Sequence, residues 1–147
     1  MSSLKKSKST KHTGLTDQIR ELLDAWSAKR YWVRQEAPLT LGDSEPEPDV
    51  SVVTGQRSDY AIAHPGTALL VVEVAVTTET ADRELLPAYA AAGVSEVWLV
   101  LAAKKQVERF TLPVGAAYTE SRLYSVNETL NSSSLPGCSL PLGMLFA

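Results

Sequence analysis

Glu73 is the only acid inside Ala68–Val76 (ALLVVEVAV), the most apolar run of the chain. A carboxylate in such a strand must be paired, protonated or metal-bound, because burying a lone charge is very costly. Asp49 is its candidate partner. It follows Pro48, closes the acidic run Asp43, Glu45, Glu47 and opens an apolar segment with Val50, Val52 and Val53. Suppose segments 48–54 and 68–76 are antiparallel neighbours. Pairing Asp49 with Glu73 then also pairs Ser51 with Val71 and Val53 with Leu69. Directly opposed residues share a face, so the other face carries Val50, Val52, Leu70, Val72, Val74 and Val76. Two carboxylates side by side repel unless a cation lies between them. A hard divalent ion, Mg²⁺ or Mn²⁺, suits oxygen ligands and could orient water and stabilise a pentavalent phosphate transition state. The competing reading is a salt bridge from an arginine to Glu73.

Other chemistry-bearing residues read more plainly. Arg83 suits an ion pair near a helix end, and Asp82 suits a helix N-cap. Lys104 and Lys105 fall in a turn, where lysines are usually solvated. Tyr89 and Trp98 sit in apolar context and read as core, as do Trp26 and Trp32. His64 lies in a loop without a positioned partner. Cys138, in LPGCSLPL, has no adjacent base and reads as a small buried residue. The serines after Asn131 form no hydrolase signature.

These residues need a scaffold. Leu15, Ile19, Leu22, Leu23 and Trp26 recur at helical spacing and predict a helix over about 15–29. Tyr31–Leu41 reads as extended, with Pro38 limiting a strand or marking an edge. Strands follow over 48–54 and 68–76, the latter apolar on both faces, as a central strand requires. A helix from Thr80 or Asp82 to Ala92 comes next, with Gly93 as its C-terminal glycine and Pro87 kinking it or lying in its first turn. Glu96–Ala102 is another buried strand. Gln106–Thr111 pairs back as a hairpin, Ala117–Tyr124 adds an edge strand and Leu140–Phe146 docks on the core. Strands 68–76 and 96–102 should be parallel, joined by a right-handed crossover. The expected class is α/β, a mixed sheet flanked by helices.

Composition bounds the rest. At 147 residues the chain suits one domain, and 44% hydrophobic with 21% charged residues is ordinary globular usage. One cysteine excludes an intrachain disulfide and fits a reducing cytoplasm. No apolar run approaches the roughly 20 residues of a membrane span, and no secretory leader is expected. The net charge of −3 is uneven. Lys5, Lys6, Lys8 and Lys11 make residues 1–12 purely basic, leaving ten basic and 17 acidic residues beyond, net −7. An acidic body argues against non-specific binding of nucleic acid over the whole surface but leaves room for a local basic channel. Residues 1–13 read as a basic, disordered tail and 14–147 as the domain.

The run EPEPDVSVV, then LLVVEVAV, then DRELLPAYAAAGVSEVWLV, then a closing LPG…LF resembles the Uma-type restriction endonuclease family of the PD-(D/E)XK nuclease superfamily. The resemblance covers about Ala37 to the C-terminus. It implies a restriction-endonuclease-like fold, a divalent-metal site and hydrolysis of DNA phosphodiester bonds, with Asp49 and Glu73 as catalytic, metal-binding acids. It also implies a lysine, two residues after the Glu or three after the Asp of Asp-Arg. Here those slots hold Ala75 and Leu85. Arg83 is the nearest cation in sequence and offers charge but no proton transfer. Glu21 or Glu36 could take the place of an acid that the family carries upstream. Two readings follow: an endonuclease with DNA as partner and a homodimer by analogy, or a catalytically degenerate protein that keeps the nuclease fold for binding. A third, a domain whose Glu73 is locked by an arginine, needs no ligand.

Overall fold

The computed structural model describes residues 9–147. Six strands form one mixed sheet in the order β1-β2-β3-β4-β5-β6: β1 (Trp32–Gln35), β2 (Val50–Val53), β3 (Leu70–Ala75), β4 (Glu96–Leu101), β5 (Gln106–Val114) and β6 (Ala117–Tyr124). Only β3 and β4 run parallel. The chain between them supplies the helical crossover that a parallel pair requires. All of β2, β3 and β4 is buried, which explains their lack of polar alternation.

The register of β2 on β3 pairs Ser51 with Val71 and Val50 with Val72. It is the register that sets Asp49 against Glu73. It sorts the sheet into two faces. Val50, Val52, Leu70, Val72 and Val74 face the first core, where helix α1 (Thr10–Ser27) packs through Leu15, Ile19 and Leu23. Val53, Val71, Leu99 and Leu101 face the second, with Tyr89 and Val94 from the crossover and Leu39 and Leu41 from the loop after β1. Each fully buried aliphatic side chain contributes about 1.5–3 kcal/mol, so one slip in register would reverse every one of these contributions.

Several elements depart from expectation. Helix α1 starts at Thr10, not Leu15, because Ser9 caps it, its hydroxyl accepting from the His12 amide at 3.1 Å. Residues 10–13 thus belong to the helix and Ser9 to its cap, while residues 1–8 of the expected tail lie outside the described residues. The crossover helix is split into α2 (Thr80–Glu84) and α3 (Leu86–Ala91). Pro87 has no amide to give the Arg83 carbonyl, which takes the Leu85 amide instead. Asp82 lies in the first turn of α2 rather than at the N-cap, which is Glu79. Gly93 follows α3 with φ +77°, and the Val94 amide closes back on the Tyr89 carbonyl at 3.0 Å. A hairpin of β7 (Thr129–Asn131) and β8 (Ser139–Pro141), absent from the sequence reading, leads to a one-turn helix α4 (Leu142–Leu145). Leu140, Leu142 and Leu145 dock in the first core as expected for 140–146.

Candidate active site

Asp49 precedes β2 by one residue, where the ladder to β3 stops. Its carboxylate replaces the missing backbone acceptor: Asp49 Oδ2 takes the Val74 amide at 2.7 Å. Glu73 returns the contact, its Oε1 accepting the Asp49 amide at 3.3 Å. The two acids are 6% and 5% exposed.

Two further groups roof the pair. The Tyr89 hydroxyl, from α3, donates to Glu73 Oε2 at 2.6 Å. His12, from the first turn of α1, brings Nε2 to 3.1 Å from Asp49 Oδ1. Its Nδ1 is buried without a hydrogen-bond partner among the described residues. Neither residue stands out in the sequence. Tyr89 reads as core, and it is fully buried, but its hydroxyl faces a carboxylate. His12 falls within the expected tail.

Burial, then the charge of Asp49, pushes the Glu73 carboxyl well above the usual carboxylate range. The Tyr89 hydroxyl and the Asp49 amide oppose that shift, while the more distant Asp82 adds to it. Burial and the Glu73 charge in turn raise the Tyr89 phenol, which therefore stays a donor.

The arginine reading of Glu73 is not what the structure holds. Among the described residues no arginine or lysine pairs with Glu73. Arg83 binds Glu79 and Glu108 at 2.7 and 2.8 Å, the ion pair expected of it, and is no substitute for the lysine. Ala75 and Leu85 leave both lysine slots apolar. Ala75 lines a cleft of about 50 Å³ at the C-terminal ends of β3 and β4, together with Thr78, Leu101 and Lys104. Lys104 is thus nearer to that slot than its place in a turn suggests, although its Nζ lies 3.5 Å from Glu79 Oε2. Glu21 contacts Arg20 on the exposed side of α1, whereas Glu36 donates its amide to the Asp49 carbonyl at 3.1 Å.

The donor set can be tested against a hard cation. Among the described residues no group of three or more His, Cys, Asp or Glu side chains is arranged around a common metal position. Asp49 and Glu73 still offer four carboxylate oxygens, each with lone pairs beyond those used by the donors named. Burial raises Glu73 most; the repulsion from Asp49 that adds to it is what a shared divalent ion would relieve. A magnesium-sized ion needs one or two carboxylates and keeps its waters, so the pair fits one.

A third buried carboxylate does not stand out in the sequence. Glu96 is 0% exposed. It accepts from Trp98 Nε1, the Ser132 and Ser134 hydroxyls and the Ser133 and Ser134 amides, at 2.5–3.3 Å. Trp98 and the serine run, read separately, are two walls of one cradle tying the β7–β8 hairpin to β4. Cys138 lies behind it, its thiol pushed up to about 11 by burial, an inert core residue as expected.

The chain belongs to the family described as "Uma2: Putative restriction endonuclease", which matches residues 1–143. Among solved structures, it is similar to one described as a "putative nuclease belonging to DUF820" from Anabaena variabilis ATCC 29413, with a TM-score of 0.81 at 16% identity, covering 97% of this chain and 83% of that one. At that identity the likeness establishes the fold. No curated protein matches the chain significantly. Among the described residues no helix is long and apolar enough to cross a membrane.

Proposed function

We propose that this chain is a divalent-metal-dependent nuclease that hydrolyses phosphodiester bonds in DNA in the cytoplasm. The observation that carries the reading is the clasp of Asp49 and Glu73, two acids buried side by side at the end of a strand pair with Glu73 unneutralised by any described lysine or arginine. Asp49 and Glu73 would hold Mg²⁺ or Mn²⁺. A bound ion would supply positive charge at the scissile phosphate and make water a stronger nucleophile. The chain's own groups do the remainder. Tyr89 fixes the Glu73 carboxylate through one oxygen. His12 stands at Asp49 as the basic group of the described site, and in this reading it carries the proton that neither Ala75 nor Leu85 can. A side chain placed within hydrogen-bond reach of the site suits that work.

The competing reading is a protein that keeps the fold for binding alone. Ala75 and Leu85 at the lysine slots favour it. Titration of Mg²⁺ and Mn²⁺ into wild type and Glu73→Ala, followed by calorimetry and thermal unfolding, separates the two together with plasmid cleavage. Saturable binding lost in the variant, with nicking in the wild type only, supports the nuclease. Metal binding without nicking supports the binding protein. No binding at millimolar metal removes both the metal and the reaction.

A further inference from the structure

The arginines divide into two groups. Arg20, Arg83 and Arg122 each bind a carboxylate at 2.6–3.0 Å. Arg30, Arg34, Arg57 and Arg109 have no acid partner among the described residues. Arg109, on β5, lies over Tyr124, whereas Arg34 and Arg57 share the Trp32 ring at the β1 edge of the sheet and Arg30 stands in the turn before β1. Arg34 is the informative one. Its residue is 6% exposed, and arginine is almost never so buried without a paired charge. One nitrogen, Nη1, donates to the Pro38 carbonyl at 2.9 Å. Its Nε is buried without an acceptor among the described residues. Burial pulls its pKa down from the ordinary guanidinium value, and no carboxylate offsets the cost.

Aromatic rings hold these cations in place. Arg34 and Arg57 lie 4.8 and 5.6 Å from the centroid of Trp32, which stacks on Tyr60 at 5.7 Å. Arg30 lies 5.1 Å from the centroid of Trp26. Gln56 Nε2 donates to the Lys29 carbonyl at 2.9 Å, which ties the loop bearing Arg57 to the turn before β1. The cations are therefore preorganised in a protein whose charge beyond residue 12 is −7. A concentrated, ring-supported cluster without counter-charge is suited to an anion from outside.

We infer that Arg34 and Arg57, supported by Trp32 and Tyr60 and flanked by Lys29 and Arg30, form a binding edge for the phosphodiester backbone of a DNA strand. The position relates it to the acids. Arg34 opposes Ser51 across β1 and β2, so it shares a sheet face with Asp49, two residues along. Diagonal neighbours of this kind lie roughly 7–8 Å apart at their backbones. A strand held on the edge passes beside the Asp49–Glu73 pair. The choice of DNA rests on the nuclease reading, but the contact itself does not require cleavage.

The test is fluorescence anisotropy of labelled single-stranded and duplex oligonucleotides with the full chain, in EDTA, over a range of salt. Arg57 is exposed, so Arg57→Ala should fold as the wild type does, checked by thermal unfolding. It is expected to weaken binding about five- to tenfold and to reduce the salt slope by roughly 0.7–0.9 for each phosphate no longer neutralised. Arg57→Lys should recover most of the affinity, because charge is retained. Arg34→Gln should weaken it further. Unchanged affinity and salt slope in Arg57→Ala and in a folded Arg34→Gln would overturn the proposal, as would a wild type that binds neither oligonucleotide. Equal displacement by inorganic phosphate, matched in phosphate concentration, would overturn the DNA assignment. Failure of the nuclease reading looks different: arginine-dependent binding persists in EDTA while added metal produces no cleavage.

Discussion

Asp49 and Glu73 hold each other through the backbone: each carboxylate accepts an amide belonging to, or adjoining, the other residue. Burial, and then the like charge that the clasp fixes beside it, give Glu73 a strong preference for its protonated form. The neutral hydroxyl of Tyr89 only partly offsets that preference.

In metal-free protein, stability should therefore fall with rising pH through this site. The folded state holds the Glu73 proton above the unfolded value of 4.5. The contribution is fully present below that value and is lost as pH rises through the raised folded pKa. Urea unfolding in EDTA across a range of pH from mildly acidic to mildly basic measures it. Glu73→Gln should flatten that dependence, and an unaltered profile in the variant would assign it elsewhere.

Tyr89→Phe removes one donor from a buried carboxyl without opening a cavity. Losing a bond to such a group costs about 1–3 kcal/mol. Because the hydroxyl lowers the Glu73 pKa, its removal should also move the pH transition upward. The same titration reads both effects. A variant as stable as the wild type with an unmoved transition would mean that the 2.6 Å contact does not persist in solution.

His12→Ala breaks the contact to Asp49. Under the proposed reaction, proton transfer by a placed side chain is worth about 10²–10⁴-fold. Metal-dependent cleavage should drop by that order while metal affinity, measured calorimetrically, changes little. Full activity in the variant would remove His12 from the reaction.

The Glu96 cradle is a stability element. Ser134→Ala deletes one hydroxyl donor and leaves the carboxylate fully buried. The expected loss is about 1–3 kcal/mol, seen as a fall in Tm of roughly 2–4 °C per kcal/mol for a domain of this size. A change within error would show that the amides of Ser133 and Ser134 suffice.

Much of the frame is legible in residue order because strands 50–53 and 70–75 leave one register that buries their valines. That register carries Asp49 to Glu73 without further information. What escapes has a common cause, side chains acting across elements that periodicity treats separately. Tyr89 reads as one more apolar residue before Gly93, since hydropathy is blind to where a hydroxyl points. His12 reads as tail because lysines dominate that stretch, although Ser9 is available as a cap. Glu96 opens an apolar strand, and its donors on the hairpin lie 36–38 residues away. The unpaired state of Arg34 is visible only once its neighbours are known.

The docking of α1 has a kinetic consequence. The Glu73–Tyr89 bond spans 16 residues and the Asp49–Glu73 clasp 24. The helix carrying His12 is held partly by α4, with Gln18 Nε2 reaching the Met144 carbonyl across 126 residues. Closing so long a loop costs more entropy than closing the short ones, and contacts of high sequence separation slow folding. The acids and their tyrosine are thus expected to come together early and the histidine to join late. Pulsed hydrogen exchange would resolve that order as protection appearing in β3 before α1. The last step of folding would then be the one that completes the site.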